Sequence, residues 1–383
     1  MRGVHGSLEV SAVVKEREAP VRIVILLAVI CGCRAQPRPP LLFDRQGPTE
    51  LALTHDIRVD LKALDTDRFR IVLGGRTLIP EHLVRSRVAG ATVVNGTIQG
   101  GGTLALARVG TRLTGIIRLG SAGFEIEPTA TGHRLIPRSW KRPRPLHGPQ
   151  WSEIMNSRGR RPPPKPTLEP VEITVLFAYT QAVLDQRTLD GIRGHIAIAM
   201  TQLAHAVSAG KVKARFVAIE TPVETTGKEG ERSVEQIYYA LVHQKDFLDA
   251  HADRRTNHAD ILFLLVDQQN GGLGVGTIMA EATTSVAVAD HHDSLWSLTI
   301  PHEIGHIMGA IHEDDDSDYP FEWGHGYVGS EGRTIETNPC SDDGCVLLEE
   351  WSSRLGHGDP QKCDVVRVLG ETSPTVATFG EGL

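Results

Sequence analysis

Residues 302–312 read His302-Glu303-Ile304-Gly305-His306-Ile307-Met308-Gly309-Ala310-Ile311-His312. On an α-helix, His302 and His306 are four apart, so both imidazoles lie on one face, one turn apart, and can reach one ion. Glu303 follows the first histidine, where its carboxylate can reach a metal-bound water without filling a coordination position. Gly309 permits a positive φ and a sharp helix end. The chain can then bring His312 back as a third ligand. Three neutral nitrogens and one open position suit catalytic zinc, whose water ionises at a pKa of roughly 7. Structural zinc would call for four closed ligands, usually including cysteine, and the next cysteine along the chain is Cys340. His-Glu-x-x-His alone also arises by chance on ordinary helices with solvated histidines. Glycine and histidine at these further offsets make the signal specific.

Outward from this segment, residues 171–383 alternate strand and helix patterns, which argues for an α/β sheet flanked by helices. VEITVLFAYT (171–180) reads as a buried strand and VKARFVAIETPV as a second. ADILFLLVD is near-continuously apolar and reads as a central strand. VGTIMA and TSVAVAD read as shorter, edge-like strands. DGIRGHIAIAMTQLAHAVSAG has helical spacing of Ile192, Ile196, Ala199, Leu203 and Val207, with Gly210 as its stop. SVEQIYYALVHQKDFLDAH reads as one helix opened by a Ser233/Gln236 capping box. DSLWSLTIPHEIGHIMG carries the histidines. Pro301 in that run deletes a backbone donor, so a kink or a helix start near Thr299 is required.

Residues 42–137 alternate apolar and polar residues with Gly and Asn at the breaks, the pattern of a small β-rich domain. Residues 138–170, with RSWKRPRPLHGPQ and RGRRPPPKPTLEP, read as a Pro/Arg-rich linker open to processing proteases. Residues 1–35 contain VRIVILLAVICG, an apolar run too short to span a bilayer but suited to an export signal. Ile30-Cys31-Gly32-Cys33 resembles a lipobox, which would lipidate Cys33; Cys33-Arg34-Ala35 would serve an ordinary signal peptidase. Glu9, Glu16 and Glu18 fit a signal poorly and point to a start further downstream. An exported protein is therefore expected, secreted, periplasmic or lipid-anchored through Cys33.

Of 383 residues 40% are apolar, enough for a sizeable core, and the net charge of −7 hides an asymmetry. Residues 1–166 hold 26 Lys+Arg against 13 Asp+Glu; residues 167–383 hold 14 against 34. Two readings stay open, mutual attraction of the halves or two independently solvated surfaces. The scattered basic charge and sparse aromatics offer no nucleic-acid motif, and none is expected as a partner. Cys340, Cys345 and Cys363 allow one disulfide and leave one thiol; the short turn between Cys340 and Cys345 favours that pair, although spacing does not fix it.

HEIGHIMGAIH resembles the metzincin zinc signature HExxHxxGxxH. Together with VLFAYT, His325-Gly326-Tyr327 and Arg333-Thr334-Ile335, it is similar to bacterial reprolysin-like metallopeptidases, the peptidyl-Asp metalloendopeptidase group in particular. The resemblance implies an α/β (α+β) catalytic domain at 171–383 with a twisted mixed sheet of about five strands and three main helices. It also implies a preceding β-rich prodomain. His302, His306 and His312 would hold one Zn2+, and Glu303 would be the general base of an endopeptidase. A monomer acting on protein or peptide is expected, with substrate added along an edge strand at Gly274–Met279. The sequence departs from the pattern in three respects: Pro301 directly precedes His302, the β-rich part has no cysteine to mask zinc, and the methionine is missing. Glu336 follows Arg333-Thr334-Ile335 where metzincins carry a methionine beneath the metal. That departure supports the rival reading, a catalytically weakened surface lipoprotein using the fold as a binding module.

Other residues read more plainly. Glu313 to Asp318 form an acidic run that fits a solvated loop better than a calcium site. His291 and His292 are expected as capping or surface residues. Trp323 and Trp351 read as core or cleft wall. Arg333 is a candidate cation for acidic substrate side chains.

Overall fold

A computed structural model describes residues 38–45, 54–139, 169–268, 273–315, 320–338 and 345–383. The expected export segment, most of the linker, Cys340 and the end of the acidic run lie outside the described residues. Among the described residues, no helix is long and apolar enough to cross a membrane.

The fold is mixed α/β. In the C-terminal half, Val171–Thr180 pairs in parallel with Ala214–Ala218, Val223–Thr225 and Ile261–Val266. Ile261–Val266 pairs in parallel with Val286–Asp290, and Gly274–Gly276 closes the sheet antiparallel to the latter. Ile261–Val266 is buried at every residue, as its unbroken apolar run requires. TSVAVAD is not an edge: Val286–Asp290 is buried throughout because Gly274–Gly276 takes the outside position.

The long helix spans Leu189–Gly210, capped by the Thr188 side chain on Gly191 N. Its left-handed stop is Lys211 (φ 54°) rather than Gly210. Gly210 serves packing instead, since a Cβ there would lie 2.6 Å from Val366 Cγ2. The Ser233/Gln236 capping box forms, but the helix it opens ends at Val242 and a second runs Leu248–Thr256. Polar residues 243–246 give no apolar face there. Phe247, left-handed and buried, anchors the break against Gly227, where a Cβ would meet its ring at 2.0 Å.

In the front half, seven antiparallel strands run in the order His55–Ile57, His133–Ser139, Ala122–Pro128, Arg112–Leu119, Thr103–Val109, Ala91–Ile98, Pro80–Val88. Alternation places Val94, Leu104, Leu106 and Ile117 on one face, packed with Phe43, Ile71 and Leu78 of a small three-stranded sheet. The other face, with Val93, Ala105, Ala107 and Ile116, shares a core with Ile192, Ile196 and Ala199 of the long helix. Small residues let helix and sheet close up: a Cβ on Gly194 would lie 2.5 Å from Thr114 Oγ1. The same helix packs on its other side against the segment carrying the histidines.

Of the two charge readings, attraction holds. Arg118 pairs with Glu349 at 2.9 Å and donates to the carbonyls of Leu295 and Trp296. Arg138 pairs with Asp293 at 2.7 Å. Arg187, from the C-terminal half, reaches back to Glu125 at 3.1 Å and Glu127 at 2.6 Å. The described residues from 39 onward form one compact unit.

Candidate metal centre

The helix bearing the histidines spans Thr299–Met308, with Leu298 in a left-handed conformation at its start. Asp293–Leu298, expected as helix, are turns. Pro301 thus falls in the first helical turn, where a backbone N–H would have no helical acceptor, and the expected start near Thr299 holds. Gly309 ends the helix at φ 103° and donates to the Gly305 and His306 carbonyls. A side chain there would also press on Met279 Sδ and Phe321 Cε2, both 3.0 Å from an added Cβ. Beyond it, Ile311 N donates to Gly324 O and Gly326 N donates to Ile311 O. This bridge holds His312 in place, and His325 Nδ1 clamps the His312 carbonyl at 2.8 Å.

The three imidazoles meet. His312 Nε2 lies 3.1 Å from both His302 Nε2 and His306 Nε2. His302 Nδ1–H donates to Ile335 O at 2.7 Å, and His306 Nδ1–H donates to Ala310 O at 2.8 Å. Those bonds fix the tautomer and leave bare lone pairs on both Nε2 atoms. His312 can donate to one of them at most, so at least one pair of lone pairs faces each other unless a cation lies between. Nitrogens about 2.0–2.1 Å from a tetrahedral zinc would sit roughly 3.3 Å apart, close to what is seen. Burial first, then the neighbouring imidazole, holds each histidine at a pKa of about 3, so all three are neutral near pH 7.

Glu303 is buried beside them against the edge strand. Gly276 N–H is its backbone partner, while Oε2 has no hydrogen-bond partner. Burial pushes its carboxyl well above the usual range. The edge strand is glycine because Glu303 occupies its flank: a Cβ on Gly274 would lie 2.6 Å from Glu303 Oε1, and one on Gly276 2.7 Å from Glu303 O. The strand is shorter than expected and covers Gly274–Gly276, with Met279 and Ala280 donating to the His306 and Ile307 carbonyls.

Glu336 sits beneath the histidines, fully buried, in a turn closed by Thr337 N to Thr334 O. Glu336 Oε2 is 3.4 Å from His306 Nδ1 and 3.8 Å from His302 Nδ1. Gly305 makes the room, since a Cβ there would lie 1.6 Å from Glu336 Oε1. Trp351 faces the carboxyl, but neither oxygen completes a hydrogen bond of ordinary geometry. Burial, then the charge of Glu303, raises its pKa well above the usual range. Two buried, under-bonded carboxyl groups around three convergent lone pairs fit a cation. His302, His306 and His312 are accordingly a group that could hold a metal ion.

A second cluster escaped the sequence reading. Asp267, Asp290, His291 and His292 come together at the C-terminal ends of two parallel strands. His291 is buried, not a surface residue, and its Nδ1 accepts from Arg187 Nε at 2.6 Å. His292 Nε2 binds Asp267 at 2.7 Å, and Asp290 Oδ1 accepts from Gln268 N and His292 N. Arg187 reaches this cluster only through His291, its carboxylate partners being Glu125 and Glu127, and His291 and His292 both face Asp267. No sequence spacing foretold it, because Asp267 and Arg187 are distant in the chain from the consecutive Asp290, His291 and His292.

Burial raises Asp290 to about 7 from an ordinary 3.8. The folded chain therefore holds this proton more tightly than the unfolded chain. That contribution is complete below pH 3.8 and is lost as pH climbs through 7. Asp290→Asn keeps an acceptor for both N–H groups. We expect it to be more stable than wild type at pH 8 by about 2–4 kcal/mol, with the gap closing near pH 4. Urea midpoints at the two pH values check this; a less stable variant at pH 8 would contradict it.

Arg333 is not a free cation. Its guanidinium is committed to Glu313 at 2.8 Å, and Glu313 also accepts from Asn338 N. The described start of the acidic run is thereby tied into the structure. Trp351 is core, as expected. Cys345 is disulfide-bonded and Cys363 is a free thiol.

No family model matches the sequence. The chain is 26% identical over 313 residues to a peptidyl-Asp metalloendopeptidase of Stenotrophomonas maltophilia (strain R551-3), covering 76% of this chain and 73% of that one. It is 29% identical over 294 residues to one from Xanthomonas campestris pv. campestris, covering 72% and 69%. A third, from S. maltophilia strain K279a, is 32% identical over 143 residues, 34% of each chain. The expected resemblance is borne out, and the chain is a relative of the peptidyl-Asp metalloendopeptidases, a metallopeptidase family.

Proposed function

We propose that the chain is an exported, zinc-dependent endopeptidase of metzincin type. The observation that carries the reading is the convergence of three neutral imidazoles, two with their tautomers fixed by backbone carbonyls, beside a buried glutamate. His302, His306 and His312 would hold the ion. Zinc, when bound, supplies the Lewis-acid charge that polarises a scissile carbonyl and acidifies water. Glu303, held against the edge strand, accepts the proton of the attacking water and returns it to the leaving amine. A carboxyl whose pKa is lifted by burial is suited to both halves of that shuttle. Gly274–Gly276 is the outer strand of the sheet, along which an extended peptide would align antiparallel.

Cleavage at aspartyl residues is what the relatives' name states of them. For this chain it is part of the proposal, and its cation would have to come from a residue other than Arg333. The β-rich half as a prosegment, export through residues 1–35 and lipidation at Cys33 belong to the same reading; the intact mass of the exported protein tests the last two.

The purified chain is expected to cleave an unstructured protein substrate, to lose that activity to a chelator and to regain it with one equivalent of zinc. A zinc-loaded chain that cleaves nothing would favour the binding-module alternative, to which Glu336 lends its support.

A further inference from the structure

We infer that Glu336 is a positioning residue of the metal centre, retaining the cation by charge through His306 and His302 without coordinating it. The inference rests on the metal reading above and concerns this chain's own departure from the usual apolar floor.

Three observations carry it. The carboxyl is completely buried; Nδ1 of His306 lies 3.4 Å and Nδ1 of His302 3.8 Å from it, and the Trp351 indole faces it. Those Nδ1–H groups already serve carbonyl oxygens, so the carboxyl gains little from them directly. Neither of its oxygens completes a hydrogen bond, an arrangement that costs the metal-free fold. The space is also built for it. Gly305, between the two histidines of the helix, leaves the gap that any side chain would close on Glu336 Oε1.

A packing residue in that gap would be apolar. A carboxyl there is unfavourable without the ion and favourable with it, because a negative charge behind two imidazoles raises their donor strength toward a cation. Metal binding and metal-free stability should therefore move in opposite directions when the charge is removed.

The test uses the full chain, Zn2+ alone as the probe, and competition with a chromophoric chelator. Glu336→Gln keeps the shape, and Glu336→Met keeps the volume and removes the polarity. Both are expected to bind zinc about 10–100-fold more weakly than wild type, while the metal-free protein melts at the same or a higher temperature. A loss smaller than about fivefold in both variants overturns the inference. So does weaker binding accompanied by a lower metal-free melting temperature, since damaged packing would explain both. If wild type itself binds no zinc, the metal reading fails and this inference falls with it. Tight zinc on wild type with unchanged variants removes the role of Glu336 alone.

Discussion

Glu303→Gln is expected to lower peptide hydrolysis by about 10²–10⁴-fold while the protein keeps its full complement of zinc. The substitution is isosteric, and the amide oxygen can still accept from Gly276 N–H. The clearances at Gly274 and Gly276 are unchanged, since both were set by the shape of this side chain and the helix backbone behind it. What disappears is the capacity to take a proton. The three imidazoles keep their own orienting bonds to Ile335 O and Ala310 O for the two helical histidines. Metal content and activity should therefore separate. The metal-free variant should melt no lower than wild type, because a buried carboxyl without a full set of partners has been neutralised. Zinc content by elemental analysis, with kcat/KM on one peptide, checks both halves. Wild-type activity in the variant would remove Glu303 as the base, and loss of zinc would mean the glutamate holds the site together.

The parts of this site that were legible in the sequence are those set within one or two turns of chain. His302 and His306 share a face by helix geometry alone, and Gly309 ends that helix because nothing else adopts its φ at low cost. Pro301 left a kink or a start near Thr299 open, and the helix starts at Thr299. The parts that were hidden depend on which segments meet. Gly305 looks like a neutral choice in the motif until Glu336, thirty-one residues later, is found lying against it. The glycines of the edge strand likewise make sense only beside Glu303. TSVAVAD looked like an edge for the same reason: a run of four small apolar residues says that a strand is buried, and only its neighbours say on how many sides. His291 was read as a surface residue because its partners, Arg187 and Asp267, are distant in the chain. The two halves were separable on composition but not on packing, since an alternating strand does not disclose what covers its second face.

With the linker at 138–170 cut, the two halves of wild type are expected to stay together, and Arg187→Ala is expected to weaken that association by at least about 150-fold. The first part follows from the shared core. Val93, Ala105, Ala107 and Ile116 of the front sheet and Ile192, Ile196 and Ala199 of the long helix are all buried in one cluster, and separating the halves would expose both surfaces to water. The second part is electrostatic. Arg187 is buried, and its guanidinium meets Glu125, Glu127 and His291 together. Breaking a buried pair by removing one partner costs about 3–5 kcal/mol, because the other charge stays behind. The lower end applies here, since Arg138 still reaches Glu125 at 2.7 Å and Arg134 lies 3.6 Å from Glu127. About 3 kcal/mol corresponds to the 150-fold figure. A packing effect of the lost arginine would not be relieved by neutralising its partners. A charge effect would be, so Glu127→Gln added to Arg187→Ala should recover part of the loss. Gel filtration of the nicked protein over a dilution series measures each constant. Halves that separate in wild type would show that the shared core does not hold them. An unchanged constant in Arg187→Ala would show that the buried charges contribute nothing to the join. If both results come out as expected, a cut in the linker cannot by itself remove the front half, and any prosegment role would require a second event that breaks the layer between the front sheet and the long helix.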